Sequence, residues 1–289
     1  MEPLPSHSGL PGSLRAHQRE YALRTSTGLR LTARLSQIWS RRDVLWMFVV
    51  RGLKVKYADS VLGYAWSLIE PALFIGVYFV VFGRIFHTKI EHYPLFIAST
   101  ILPWLWFNGT TQQALGALRS NARLITSIAL PREIYPLSVV GEKFVEFLLS
   151  LPVIVGVAAL YRIAPTKYVW AFPLAVFMEL VLVTGVALFM ASMNTILRDI
   201  QRGIGVVLRM LFYLCPVLYP VTKISNENLR HLYELNPLVG IFELDRAVWF
   251  AKDFGEWRAV YISAIGCTLM LIIGWWTFIR LERPVLKEL

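Results

Sequence analysis

The chain is written as long apolar runs separated by short charged stretches. Reading for runs of roughly 18 or more apolar residues, the length needed to cross a bilayer as a helix, gives six segments: Ala65–Phe86, Leu95–Leu118, Pro136–Tyr161, Tyr168–Leu197, Ile204–Val221 and Ala259–Ile279. The pattern predicts an all-α membrane protein with six transmembrane helices. Two further apolar stretches are too short or too polar on one face to span. In the first, residues 37–60, helical spacing puts Ile38, Trp39, Leu45, Trp46, Val49, Val50, Leu53 and Tyr57 in one arc. Ser40, Asp43, Arg51 and Lys54 fall opposite, and Arg42, Lys56 and Met47 break the pattern. This predicts an amphipathic helix lying in the cytoplasmic interface. The second, Val239–Phe250, sits in the long connection between spans five and six. About twelve residues reach only roughly 18 Å, which suits a short re-entrant helix at the outer leaflet, with Asn236 as N-cap and Pro237 at the first helical position.

Charge then orients the spans. Lys and Arg number ten in the N-terminal arm up to Lys56, and three each in the second-to-third connection, the fourth-to-fifth connection and the C-terminal tail. Nineteen therefore lie on one side, nine on the other, and Lys143 within a span. By the positive-inside rule both termini face the cytoplasm. The net charge of +10 is thus mainly a topology signal, and no nucleic-acid partner is expected. The organisation follows: an N-terminal arm over 1–36, partly disordered; the interfacial helix over 37–60; the six-helix domain over 61–283; and a cytoplasmic tail over 284–289. Residues 1–43 contain no apolar run long enough for a secretory signal core.

Composition agrees: 56% of the 289 residues are hydrophobic and 17% charged, against about 25% charged in soluble domains. Catalytic chemistry is missing. No G-x-x-x-x-G-K-[ST] phosphate loop occurs, the five histidines are scattered, and Cys215 and Cys267 both fall in apolar runs, where they read as small buried hydrophobes. No metal or catalytic residue is assigned. Glu142, Lys143 and Glu146 share a face of span three and should pair within the bundle, while Glu179 stands alone near the middle of span four.

Four strings in register carry a resemblance. The run Arg51-Gly-Leu-Lys54-Val-Lys56-Tyr57, continuing through Leu62-Gly63-Tyr64-Ala-Trp66 to Glu70-Pro71, resembles the opening signature of ABC-2 type permeases that export polysaccharides. Asn121-Ala-Arg-Leu124-Ile125 followed by Leu130-Pro131-Arg132-Glu133 is similar to their second-to-third cytoplasmic connection. Arg198-Asp199-Ile200 with Cys215-Pro216-Val217-Leu218-Tyr219-Pro220 resembles their fifth span, and Asn236-Pro237-Leu238 with Arg246 their outer re-entrant region. The arm before Arg41 is longer than in many members, and Cys215 stands where a small polar residue is common.

The resemblance implies a homodimer working with two copies of a separate cytosolic ABC ATPase subunit, which would bind the ATP and Mg; this chain would hold no cofactor. It implies as substrate a glycan on a polyprenyl diphosphate in the bacterial inner membrane, of O-antigen, teichoic acid or galactan type. A basic entrance for the lipid head group is expected at Arg51, Lys54 and Lys56. A sugar-tolerant aromatic path is expected at Tyr78, Phe79, Phe82, Phe86, Trp104, Trp106, Phe107, Phe212, Tyr213 and Tyr219, although the same rings would also suit an aromatic belt at the membrane interface. Contact with the ATPase is expected through Arg119, Arg123, Pro131, Arg132 and Glu133. An exporter of small hydrophobic molecules or drugs remains the alternative reading.

Overall fold

A computed structural model describes residues 31–58, 60–128, 130–197, 199–250 and 257–288, with side chains over 34–281. The expected arm over 1–36 therefore lies almost wholly outside the described residues, as do Arg198, Lys252 and the side chains of the 284–289 tail. Every regular element among the described residues is helical. Four helical segments are long and apolar enough to cross a membrane: Gly63–Ile85, Ile134–Leu160, Ala171–Ile196 and Trp257–Leu281.

The chain opens with α1 (Leu31–Ser40) and α2 (Arg42–Tyr57). The single helix expected over 37–60 is two, because Arg41 leaves helical geometry at φ −109°, ψ 19°. The apolar arc also divides its work. Val49, Leu53 and Tyr57 are buried against the start of α6, whereas Trp39, Trp46 and Met47 are exposed. α3 (Trp66–Tyr78) contains Pro71 and continues as a π-helical segment, Phe79–Ile85. α4 (Tyr93–Ala114) begins with Pro94 in its first turn. A short α5 (Ala122–Ser127) leads to α6 (Ile134–Leu160), α7 (Ala171–Ile196) and α8 (Asp199–Leu214). Then come α9 (Glu227–Glu234), α10 (Pro237–Ala247) and α11 (Trp257–Glu288). α11 runs on through residues 284–288, where a separate tail was expected.

Two of the six expected spans fall short by length or hydropathy. α4, with 22 residues, reaches about 33 Å, but Thr110, Thr111, Gln112 and Gln113 dilute its apolar character. The reason is its position: most of the helix is buried among α3, α6, α7 and α10, so it need not present an apolar face to lipid. α8 was expected over Ile204–Val221 and runs instead over Asp199–Leu214, about 24 Å, which is short of the roughly 30 Å hydrocarbon core. Pro216 explains the stop, since proline cannot donate the next helical hydrogen bond and disfavours helix in the residue before it.

The core is built around α7, which packs along α11 and against α4, α6 and α10. Small residues let α7 and α11 approach closely: an added Cβ at Gly185 would meet the Leu271 amide nitrogen and the Met270 carbonyl at 2.6 Å. α10 is buried along nearly its whole length. It is capped as expected, with the Asn236 side chain accepting from the Leu238 amide at 3.0 Å. Cys215 and Cys267 are both free and buried.

Candidate functional site

The rings of α3 and of the π-helical segment that continues it form a line because they recur every fourth residue, which stacks them on one helix face. Phe74, Tyr78, Phe82 and Phe86 follow one another with centroids 6.4, 6.3 and 5.7 Å apart. The line is joined from other helices. Tyr78 lies 5.7 Å from Phe212 of α8, Phe212 lies 5.3 Å from both Trp104 of α4 and Tyr213, and Trp104 lies 5.9 Å from Phe107. Seven of the ten expected rings are thereby in one chain of contacts.

The other three point elsewhere. Phe79 carries the Arg84 guanidinium over its face at 5.4 Å. Trp106 turns into the protomer and stacks on Phe147 of α6 at 4.8 Å. The Tyr219 hydroxyl bonds the Tyr213 carbonyl at 3.0 Å and the Tyr233 hydroxyl. Phe74 and Tyr93 belong to the line and were missed. Tyr93 sits 6.3 Å from Phe82 and donates to the Leu218 carbonyl at 3.2 Å. Phe74 was legible from its spacing to Tyr78; Tyr93, at the other end of the α3–α4 connection, was not.

The three basic residues expected at the head-group entrance separate. Arg51 and Lys54 are exposed on α2 and make no ion pair among the described residues. Lys56 instead turns toward α6, where its Nζ donates to Glu146 Oε1 at 2.7 Å. Burial works against the Lys56 charge, but the hydrogen bond and charge of Glu146 more than offset it, and its pKa is raised. Lys143 reaches the other oxygen of Glu146 at 3.0 Å, and Gln113 donates to Glu142 at 2.8 Å. The charges of span three are thus paired within the bundle, as the sequence suggested. Lys143 and Glu146, with Lys56, line a polar cleft of ≈ 440 Å³ between the end of α2, the start of α3, α4 and α6.

The connection from α4 to α6 folds as a 3₁₀ turn over Arg119–Asn121, then α5, then a turn through Leu130-Pro131-Arg132. Arg119, Pro131 and Arg132 are half-buried, and Arg123 is exposed. Glu133 differs from the expected surface contact. It is 4% exposed, and its Oε1 accepts from Arg34 Nη1 of α1 at 2.8 Å, with Arg34 8% exposed. Two residues on, Tyr135 packs edge-on against Phe48 of α2 at 5.4 Å. The connection and the amphipathic helices are therefore one mechanical piece, and Glu133 acts as a strut. Hydrogen bonds to charged groups contribute about 1.5–3 kcal/mol, so Glu133→Gln should loosen α1 by about that much. Limited proteolysis should then cut within 31–40 faster while α7 and α11 stay protected. Equal cutting rates would contradict the strut.

The ABC-2 type transporter family matches residues 43–250. Among curated proteins, the chain is 31% identical to an O-antigen export system permease protein RfbA of Myxococcus xanthus over 215 residues, covering 74% of this chain and 83% of that one. It is 29% identical to the protein of the same name from Klebsiella pneumoniae over 243 residues, 83% and 92% of the two chains. It is 22% identical to the polysialic acid transport protein KpsM of Escherichia coli over 236 residues, 78% and 88%. The matched segment contains the aromatic line, the polar cleft and the α4–α6 connection, and the chain belongs to the ABC-2 type transporter family.

Proposed function

We propose that the chain is the membrane-spanning permease of an ATP-driven exporter that moves polyprenyl-diphosphate-linked polysaccharide from the cytoplasm across the bacterial inner membrane. The observation that carries the reading is the unbroken line of rings contributed by α3, α4 and α8. A hydrated polymer that must slide needs a surface that stacks on sugar C–H faces without holding any one residue tightly, and aromatic rings supply it. The names of the relatives, O-antigen export and polysialic acid transport, point to the same cargo.

In this reading α4 and α8 complete six spans, α4 shielded by its neighbours and α8 lengthened by the segment after Leu214. Both termini face the cytoplasm, α10 dips into the outer leaflet, and Trp39 and Trp46 rest in the inner interface. The apolar faces left exposed on α3 (Leu73, Val77, Val80) and α8 (Val206, Val207, Met210) meet lipid or a second copy in a homodimer. Two copies of a cytosolic ATPase subunit bind ATP and Mg and press on the α4–α6 connection through Arg119, Arg123 and Arg132. The chain itself is a transport subunit without an ATPase site. Arg51 and Lys54, exposed on α2 and without an ion pair among the described residues, meet the diphosphate head. An exporter of small hydrophobic molecules is the competing reading.

Depleting the protein tests the choice. Polyprenyl-linked glycan should accumulate on the cytoplasmic face while resistance to hydrophobic drugs is unchanged. Raised intracellular drug levels with an unaltered glycan pool would transfer the case to the alternative.

A further inference from the structure

The polar cleft is separate from the aromatic line. Trp106, one of its walls, faces α6 rather than Trp104 and Phe212, and its Nε1 has no hydrogen-bond partner. The charged groups lining the cleft are Lys56, Lys143, Glu70 and Glu146, so the lining carries no net charge. More decisive is how those charges are spent. Glu146 lies between the two ammonium groups, 2.7 Å from one and 3.0 Å from the other. An anionic ligand such as a diphosphate would meet the Glu146 carboxylate beside either cation and be repelled by it. What remains open is polar but mostly neutral. Among the described residues Asn108 and Gln112 pair with each other, at 3.0 Å, one turn apart on α4. Glu70 on α3 is exposed, with no partner among the described residues. Two amides and a carboxylate lining one cleft are the chemistry that binds a polyhydroxylated ring, through bidentate hydrogen bonds to vicinal hydroxyls, while Trp106 and Phe147, stacked on each other and buried, close part of its wall. The size agrees, since ≈ 440 Å³ falls in the range of small-ligand sites and admits roughly one or two sugar residues.

We infer that this cleft is a saccharide-recognition subsite within the protomer. It takes one or two sugar residues of the lipid-linked glycan, with Asn108, Gln112 and Glu70 as hydrogen-bonding groups and Trp106 as part of the wall. The inference rests on the polysaccharide reading and adds to it a place where sugar identity is read, away from the surface along which the polymer slides. Amide-to-hydroxyl bonds contribute about 1 kcal/mol each, so Gln112→Leu should weaken saccharide binding roughly fivefold. Gln112 is exposed and, among the described residues, bonded to Asn108, so its loss leaves the packing intact.

The test uses the full chain with its ATPase subunit in phospholipid nanodiscs, with 5-fluorotryptophan incorporated and the Trp106 resonance assigned through Trp106→Phe. The probe is the oligosaccharide released by mild acid from the cell's own polyprenyl-linked glycan. The Trp106 resonance should shift saturably on titration, and the midpoint should move up roughly fivefold in Gln112→Leu and in Glu70→Gln. No shift at Trp106, in a protein whose depletion does accumulate lipid-linked glycan, overturns the cleft and leaves the export reading standing. A shift produced by phosphatidylglycerol added to the nanodisc, with none from the saccharide, overturns it in favour of a lipid head group. Failure of depletion to accumulate glycan overturns the export reading itself.

Discussion

Gly274→Leu should abolish folded protein, and Gly274→Ala should lower it severely. An added Cβ at Gly274 would fall far inside van der Waals contact distance of the Gly185 carbonyl oxygen and against Gly185 Cα. The obstacle is backbone of the neighbouring helix, so no side chain can rotate away. Overpacking a core costs about 1–3 kcal/mol even where side chains can yield, and here the cost should exceed that range. α7 and α11 would be forced apart along the most extensive helix pairing in the chain. Gly156 is the control: nothing lies within 4 Å of its added Cβ, and Gly156→Ala should leave folding unchanged. Size-exclusion profiles in detergent, with melting curves, check both. A monodisperse Gly274→Leu variant of unaltered melting temperature would contradict the packing described.

Arg246→Leu should be comparably damaging, by a different route. Arg246 is 1% exposed. Its guanidinium donates to the carbonyls of Pro216 and Val217, lies over the Phe96 ring at 4.0 Å and stands 3.4 Å from Glu243. Those carbonyls belong to the segment that follows α8, where Pro216 has ended the helix and left backbone acceptors without amide partners. Arg246 thus ties α10 and α4 to the end of α8. Its loss takes the donor from the buried Pro216 carbonyl, leaves the Val217 carbonyl with the Thr100 hydroxyl at 3.1 Å, and removes the cation beside the buried Asp245. Breaking a buried charged network in this way costs about 3–5 kcal/mol. Arg246→Lys should recover only part of it, because a single ammonium cannot reproduce the planar fork. Melting temperature in detergent is the measurement, and an unchanged value for Arg246→Leu would contradict the role.

The helices legible in the sequence were those whose apolar runs face lipid or a uniform core. Ile134–Leu160 and Ala171–Ile196 lie within a few residues of the expected Pro136–Tyr161 and Tyr168–Leu197. Local chemistry was legible too, as with Asn236 capping α10. What escaped depends on contacts distant in sequence. α4 keeps Thr110 and Thr111 because other helices cover them, which no window of residues records. Glu133 looked like a surface acid beside Arg132, yet its partner Arg34 is 99 residues away. Lys56 read with Arg51 and Lys54 as one basic patch, but only Lys56 finds a carboxylate, on α6. Trp106 and Trp104 are two residues apart and were treated alike. In a helix two residues turn the chain by roughly 200°, so one ring joins the aromatic line and the other the cleft. The π-helical segment Phe79–Ile85 had no signal in composition.

Reconstitution separates movement of a lipid-linked glycan by this chain and a partner ATPase from movement of a small hydrophobic molecule. Proteoliposomes would contain the purified chain, an ABC ATPase subunit that co-purifies with it, and polyprenyl-linked glycan isolated from the same cells. Glycan on the face opposite the ATPase would be read with a membrane-impermeant glycosidase. Cleavable glycan should appear there only with ATP, Mg and both proteins present, and no ATP should be hydrolysed by the chain alone. Glycan that stays inaccessible under those conditions, while a hydrophobic drug is moved, would contradict the account.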